Sequence, residues 1–279
     1  RDRSVSRGLG DVYKRQGYNL KGIATVTRQK YLTASEKGPW ANSYDRWRND
    51  NLTNRYQGVQ FGYTSAGRYT SWNDIWNYYG FKERDVLPGD YKYEDWNGDG
   101  EINGQDEHPF AFDQTPWLQF SLNAGLQWKN FDFNMLLQGS ALGSMEYKEP
   151  LHEIWGKNGG GALTQFLDRW HPVDPKADPY DPSTVWTSGH YAYTGRWAKN
   201  NSAFNRVSTA YLRLKSIELG YTFPKLKQIP NASLRVYANA YNLLTFTGVK
   251  FVDPEHPDDD LGRMYPLNKT YTLGVSLSF

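Results

Sequence analysis

The end of the chain, Tyr271-Thr-Leu-Gly-Val-Ser-Leu-Ser-Phe279, constrains the fold more than any other stretch. Tyr271, Leu273, Val275, Leu277 and Phe279 fall on one side of an extended strand, and Thr272, Gly274, Ser276 and Ser278 fall on the other. A soluble sandwich also alternates, but its apolar side must face a protein core. With only 38% hydrophobic residues and a mean hydropathy of −0.77, the chain has little material for a large core opposite. A strand whose apolar face meets lipid needs no such partner, because the bilayer itself is the apolar medium. The pattern therefore predicts a strand that is greasy toward a membrane and polar toward water.

The composition permits this. No run approaches the roughly 20 apolar residues of a membrane helix, whereas barrel strands escape that test because half of their residues face a wet interior. Aromatic residues reach 16%, with 21 Tyr, 11 Trp and 13 Phe, which suits interfacial girdles and loops that stack on ligands. With 32 basic and 30 acidic residues the formal net charge is +2, so nothing points to nucleic acid. Cysteine is absent, which removes disulfides, thiol catalysis and zinc-thiolate sites together. No secretory signal opens the sequence, so an exported chain is expected to be the carboxyl-terminal part of something longer.

Residues 1–16 carry neither alternation nor a helical face and are expected to be a non-native or disordered extension, with the barrel segment running over 17–279. Tyr18 to Thr27 is a strand candidate in which Leu20, Ala24 and Val26 oppose Asn19, Lys21 and Thr25, with Ile23 on the polar side. Trp117 to Trp128 and Phe131 to Leu137 form a hairpin about Lys129-Asn130, with strands of the length a tilted barrel strand needs. Tyr211 to Phe223 alternates with a slip of frame that a bulge near Ser216 reconciles, and Leu234 to Ala240 follows after a short turn. The segments 28–116, 140–209 and 243–269 are long and turn-rich, with a helical hint around Ser71 to Tyr79. Long and short connections thus alternate between about six strands. If Phe279 ends at the periplasm, every long segment lies outside and every short turn inside, the arrangement of outer-membrane barrels. The expected fold is all-β, a partial antiparallel transmembrane barrel of six carboxyl-terminal strands with long extracellular loops.

Inside the first long segment, Asp95, Asn97, Asp99, Asn103 and Asp106 place oxygen side chains at relative positions 1, 3, 5, 9 and 12, with Gly100 at 6, Glu101 at 7, where such a loop gives a backbone carbonyl, and Ile102 at 8. This is the spacing of an EF-hand-type calcium loop, which curls hard oxygen donors around one point. Position 12 is Asp rather than the usual Glu, and no flanking helices are evident. A structural Ca2+ that stiffens the loop is the functional expectation, and a metal-free Asn/Asp/Gly turn is the plain alternative.

Catalytic chemistry finds little support. His108, His152, His171, His190 and His256 are scattered without metal or nucleophile spacing. Glu255 with Asp258-Asp-Asp260 reads first as a solvated acidic face, and Gly159-Gly-Gly161 lacks the strand, helix and Lys of a phosphate cradle. No enzyme activity is expected. Trp155, Trp170, Trp186 and Trp197 are candidates for stacking on sugar rings, with loop packing the alternative for each.

Separated stretches in order, Leu87-Pro-Gly-Asp-Tyr-Lys-Tyr-Glu-Asp-Trp-Asn-Gly-Asp-Gly100, Tyr211-Leu-Arg-Leu-Lys-Ser-Ile-Glu-Leu-Gly-Tyr221, Leu234-Arg-Val-Tyr-Ala-Asn-Ala-Tyr-Asn-Leu243, Asp253-Pro-Glu255 and Phe279, resemble the carboxyl-terminal part of SusC/RagA-type TonB-linked outer-membrane transporters. The resemblance implies a barrel of about 22 strands with a plug, located in the outer membrane of a Gram-negative bacterium. It also implies import of oligosaccharides or peptides, a SusD-like surface lipoprotein as lid, and energy from the TonB-ExbB-ExbD system acting through an amino-terminal part that this chain lacks. Two rivals stand beside it. An exported, calcium-stabilised glycan-binding or adhesin β-protein requires a closed soluble core. A secreted glycoside hydrolase requires two strand-borne carboxylates, for which Asp132 and Glu218 are the chief candidates.

Overall fold

The computed structural model describes residues 9–11, 16–34, 38–39, 43, 52–78, 86–148, 151–152, 163–193, 198, 201–223, 232–256 and 264–279. In chain order its strands are β1 (Leu9–Asp11), β2 (Gln16–Val26), β3 (Val59–Gly62), β4 (Ser65–Arg68), β5 (Tyr91–Tyr93), β6 (His108–Phe112), β7 (Leu118–Trp128) and β8 (Phe131–Ala141). They continue with β9 (Ser144–Glu146), β10 (His171–Pro172), β11 (Trp186–Thr187), β12 (Arg206–Ser208), β13 (Tyr211–Phe223), β14 (Ser233–Thr247) and β15 (Thr270–Ser278). The helical hint is realised as α1 (Trp72–Asn77), whose first turn is capped by the Ser71 hydroxyl accepting from the Asp74 amide at 3.2 Å.

One antiparallel sheet carries the architecture, in the order β1-β2-β7-β8-β13-β14-β15. Its six long strands are those the alternation predicts, and β1 adds three residues against Gln16 to Tyr18. Registers pair apolar with apolar across every seam. Leu20 faces Ala124, Leu126 faces Phe133, Phe133 faces Leu219, Tyr221 faces Val236, and Val236 faces Val275. A single-residue slip anywhere would turn one strand inside out, so the two-residue turn at Lys129-Asn130, with Lys129 at φ 56°, is what fixes the first hairpin. The expected bulge is present: register shifts between Leu214 and Ser216 return both phases of β13 to the same face.

One boundary needs correction. The alternation of β14 is lost at Asn242-Leu243, which places 243–269 in the third long connection, yet β14 runs on to Thr247. Asn242 takes φ 52° beside the bulge of β13, and beyond it Leu244 and Phe246 face Leu214 and Leu212. The irregularity hides five more residues of strand, 243–247, because it resets the phase without ending the pairing.

The apolar face is bare. Leu20, Leu219, Phe246, Leu273 and Val275 are all exposed, Leu273 to 84%. A contiguous apolar surface across six strands exceeds what soluble monomers carry, and no second layer covers it among the described residues. Where the short turns lie, Trp128, Phe131, Tyr221 and Phe223 form a chain of ring contacts with centroid distances of 6.3, 4.7 and 4.7 Å. Aromatic rings at the strand ends are the girdle that anchors a barrel at its water interface.

The opposite face is polar and crossed by ion pairs. Arg235 on β14 bridges Asp132 on β8 and, at 2.6 Å, Glu218 on β13. Gly220 makes this possible, because a Cβ there would lie 2.6 Å from both the Arg235 guanidinium and the Asp132 carboxylate. The long connections build small sheets of their own, β3 with β6, β4 with β5, β9 with β12 and β10 with β11. Tyr63, Tyr91, Tyr93, Ala192 and Ala198 make their core, with Ile102 and Phe204 packed against it. Arg68 lies 4.4 Å over the Tyr91 ring and donates to the Gly89 carbonyl at 2.7 Å. Much of the aromatic content thus builds the interior of the loops.

Candidate functional site

Where the loops meet the polar face, they border an open cleft of about 680 Å³ at the loop end of β2, β7, β8 and β13. Its wall is set by strand register: Ser121 faces Gln138 and Gln119 faces Ser140 across β7 and β8, with Ile23 on β2 and Leu136 on β8 as the apolar part. Its roof comes from two loops, Gln114 to Pro116 and the turn containing Pro254 and Glu255.

Arg213 holds that roof. This β13 side chain is only 1% exposed, and it donates to Glu255 at 2.6 Å, to Asp253 at 2.5 Å and to the Thr245 hydroxyl at 3.1 Å. Asp253 in turn accepts from the Glu255 amide at 3.0 Å, and the Asp253 carbonyl accepts from the His256 amide at 2.9 Å, so the turn is braced from within. The Gln114 amide donates to the His256 carbonyl and joins the two roof segments. Sequence reasoning placed Glu255 in a solvated acidic face and did not single out Arg213. The only signal was a cation at a polar position of a strand, and its partners lie 40 and 42 residues away.

The acids weighed for hydrolysis, Asp132 and Glu218, both serve Arg235 and face each other across no open site. Asp258 to Asp260 and Gly159 to Gly161 lie outside the described residues, as do Trp155 and Trp197. Trp170 packs against Gly89, where a Cβ would collide with its ring, and Trp186 meets Tyr193 edge-on at 5.3 Å. Both therefore take part in loop packing. His108 stacks on Trp96 at 3.7 Å and is bonded through Nδ1 to the Asp106 carbonyl oxygen, while His171 is bonded likewise to the Pro172 carbonyl oxygen. In the loops, burial first and then the neighbouring Arg68 lower the His190 imidazole below its usual value, and burial pushes the Tyr191 phenol up to about 12.

The Asp95 to Asp106 loop is built of Asx turns. Asp95 accepts from the amides of Gly98 and Gly100 at 2.7 and 2.8 Å, Asn97 from Asp99 at 2.9 Å, and Asp99 from Glu101 at 2.8 Å. Asn103 accepts from Gln105 at 2.7 Å. Asp106, buried, accepts from the amides of Trp96, Asn97 and Asn103 and ties the loop shut from beneath. Gly98 and Gly100 sit at φ 74° and 85°, the left-handed backbone this curl needs. Among the described residues no group of three or more His, Asp or Glu side chains is gathered closely enough to hold a metal. The donor chemistry suits a hard cation all the same, since a carboxylate oxygen that accepts one N–H keeps further acceptor capacity.

No protein-family model matches the chain. Relatives do. TonB-dependent receptor P3 of Formosa agariphila is 28% identical over 211 residues, 70% of this chain and 19% of the relative. TonB-dependent receptor SusC of Bacteroides thetaiotaomicron is 26% identical over 210 residues, 74% of this chain and 19% of the relative. The chain is a homologue of the TonB-dependent receptors. It spans about a fifth of the length of these curated relatives. Among solved structures, the RagAB peptide importer in its closed-closed state matches with a TM-score of 0.60 at 18% identity, covering 98% of this chain and 28% of that one. The open-open state gives 0.55 at 17% identity. At such identity the match speaks for the fold alone.

This homologue of the TonB-dependent receptors is a section of an outer-membrane barrel wall of a Gram-negative bacterium, apolar toward lipid and polar toward the lumen. The relatives that the chain matches are named as receptors. The soluble adhesin reading required the apolar faces of the strands to be packed in a closed core, and they are not.

Proposed function

We propose that the chain forms part of the wall of a TonB-dependent importer that carries oligosaccharides or peptides across the outer membrane. In this reading a SusD-like surface lipoprotein closes the loop side, and the TonB-ExbB-ExbD system supplies energy. The observation that carries it is the division of the sheet into a bare apolar face and a polar face crossed by ion pairs, with the Gln114 to Pro116 segment and the Asp253 to His256 turn against its loop end. A wall of that kind encloses a water-filled path and offers no bond chemistry, so function lies in passage and recognition. The test is uptake. Cells producing the full-length protein should fractionate it with the outer membrane and accumulate a labelled oligosaccharide or peptide, and disrupting TonB should abolish accumulation. Recovery of the protein as a soluble secreted species, or uptake indifferent to TonB, contradicts the proposal.

The Asp95 to Asp106 loop is our candidate for a structural calcium site. Asp95, Asn97, Asp99, Glu101 and Asn103 would supply the oxygens, with Asp106 securing the curl beneath them. Calcium at ten times its dissociation constant should stabilise the loop by about 1.4 kcal/mol. Thermal unfolding followed with excess calcium and then with chelator measures this. A shift of a few degrees that disappears in Asp95→Asn/Asp99→Asn supports the site, and identical curves with calcium and chelator exclude it.

A further inference from the structure

The Asp95 to Asp106 loop contains three junctions of Asn or Asp with glycine: Asn97-Gly98, Asp99-Gly100 and Asn103-Gly104. At such junctions the chain can attack itself, because glycine has no Cβ to keep its amide nitrogen away from the preceding side-chain carbonyl. The fold treats the three differently. The Gly98 and Gly100 amides both donate to the Asp95 carboxylate, at 2.7 and 2.8 Å, so neither nitrogen can attack without giving up a charge-assisted hydrogen bond. Asn97 is also tied at both ends of its own amide, its Oδ1 accepting from the Asp99 amide at 2.9 Å and its Nδ2 donating to the Asp99 carboxylate at 2.8 Å. At Asn103 the Oδ1 accepts likewise, from the Gln105 amide at 2.7 Å, which polarises the carbonyl, but the Nδ2 has no partner among the described residues. Gly104 opens a single 3-10 turn, Gly104–Asp106, and its amide has no acceptor among the described residues. A Cβ there would meet nothing within 4 Å. An activated carbonyl, a free nitrogen and open space thus coincide at this junction.

We propose that Asn103 is a site of spontaneous deamidation in the folded protein. The Gly104 nitrogen bonds to the Asn103 Cγ, the Cγ–Nδ2 bond breaks, and Nδ2 leaves as ammonia with the proton that Gly104 gives up. The cyclic imide then takes up water. Opening at the side-chain carbonyl gives aspartate, and opening at the main-chain carbonyl gives isoaspartate, with the backbone rerouted through Cγ. Either product adds a carboxylate to a loop that already carries Asp95, Asp99, Glu101 and Asp106. Isoaspartate also lengthens the backbone ahead of Gly104, which pulls apart the reciprocal cap in which Asn103 accepts from the first turn and Asp106 accepts from the Asn103 amide at 2.8 Å. Asp106 ties the loop shut, so isoaspartate loosens it. Neither import nor calcium enters this chemistry.

Peptide mapping by mass spectrometry tests this on full-length protein in detergent micelles, held in mildly alkaline buffer and sampled over time, with electron-transfer fragmentation to separate aspartate from isoaspartate. In the folded protein Asn103 should convert about tenfold faster than Asn97, the ratio expected when a charge-assisted hydrogen bond must first be broken at the slower site. In protein unfolded with guanidinium the clamp is gone and the two rates should converge. Gly104→Ala, whose methyl group meets open space, should slow conversion at Asn103 and leave Asn97 as it was. The proposal is overturned if Asn97 converts as fast as Asn103 in the folded parent, if Asn103 keeps its amide over a time in which the unfolded protein loses it, or if Gly104→Ala leaves the Asn103 rate unaltered.

Discussion

Arginine at position 273 is expected to cost about 2–4 kcal/mol of folded stability in a bilayer, while arginine at the adjacent position 272 should change it by less than about 0.5 kcal/mol. Leu273 and Thr272 are both exposed, so a protein in water would tolerate either substitution. In a barrel they point to different media. Leu273 shares the apolar face with Ala238 of the neighbouring strand, where a guanidinium must shed its hydration or distort the lipid around it. Thr272 shares the polar face with Asn239, where water remains available. Urea unfolding of Leu273→Arg and Thr272→Arg in lipid vesicles measures the difference. Equal tolerance of the two would place both faces in water.

The second large effect concerns Arg213. Replacing its two carboxylate partners together, Asp253→Asn with Glu255→Gln, should destabilise the protein by about 3 kcal/mol, the low end expected for a stranded buried charge. The low end applies because Asp253 and Glu255 are themselves partly exposed, at 23% and 42%, so water shares in their solvation. Each single change leaves one partner and should cost less than half as much. Adding Arg213→Met to the double variant should recover most of the loss, because removing a whole buried ion set is far cheaper than removing half of one. Unfolding midpoints for the single, double and triple variants check this ordering. A triple variant as weak as the double would mean that the loss comes from the missing bridge and not from a stranded charge, and a double variant as stable as the parent would mean that the turn is held by its own backbone.

How far the sequence disclosed this structure depended on the range of the interaction. Alternation in β2, β7, β8, β13 and β15 was legible because lipid on one side and water on the other leave a period-two imprint that needs no knowledge of partners. The bulge at Ser216 was legible for the same reason, as a slip between two apolar phases that had to share a face. The last residues of β14 were not, because Asn242 resets the phase where a loop is equally plausible. The loop sheets were illegible: β10 and β11 are two residues each, β4 and β5 no more than four, and their partners are distant in sequence. Aromatic rings carried a double meaning that composition alone could not separate. Tyr63, Tyr91 and Phe204 build a loop core, while Trp128 and Phe131 stand at the strand ends. The site suffered most, since Arg213, Asp253 and Glu255 meet only after the 248–256 segment folds back onto β13.

The central claim, that one face of this sheet meets lipid and the other meets water, is tested most directly by spin labels placed singly at each position from 271 to 278 in full-length protein reconstituted into bilayers. Labels at 271, 273, 275 and 277 should collide freely with dissolved oxygen and scarcely with a water-soluble nickel chelate, and labels at 272, 274, 276 and 278 should show a lower ratio of oxygen to nickel collisions. A profile without that period of two, or nickel accessibility at 273 and 275 equal to that of a soluble loop, would contradict the account.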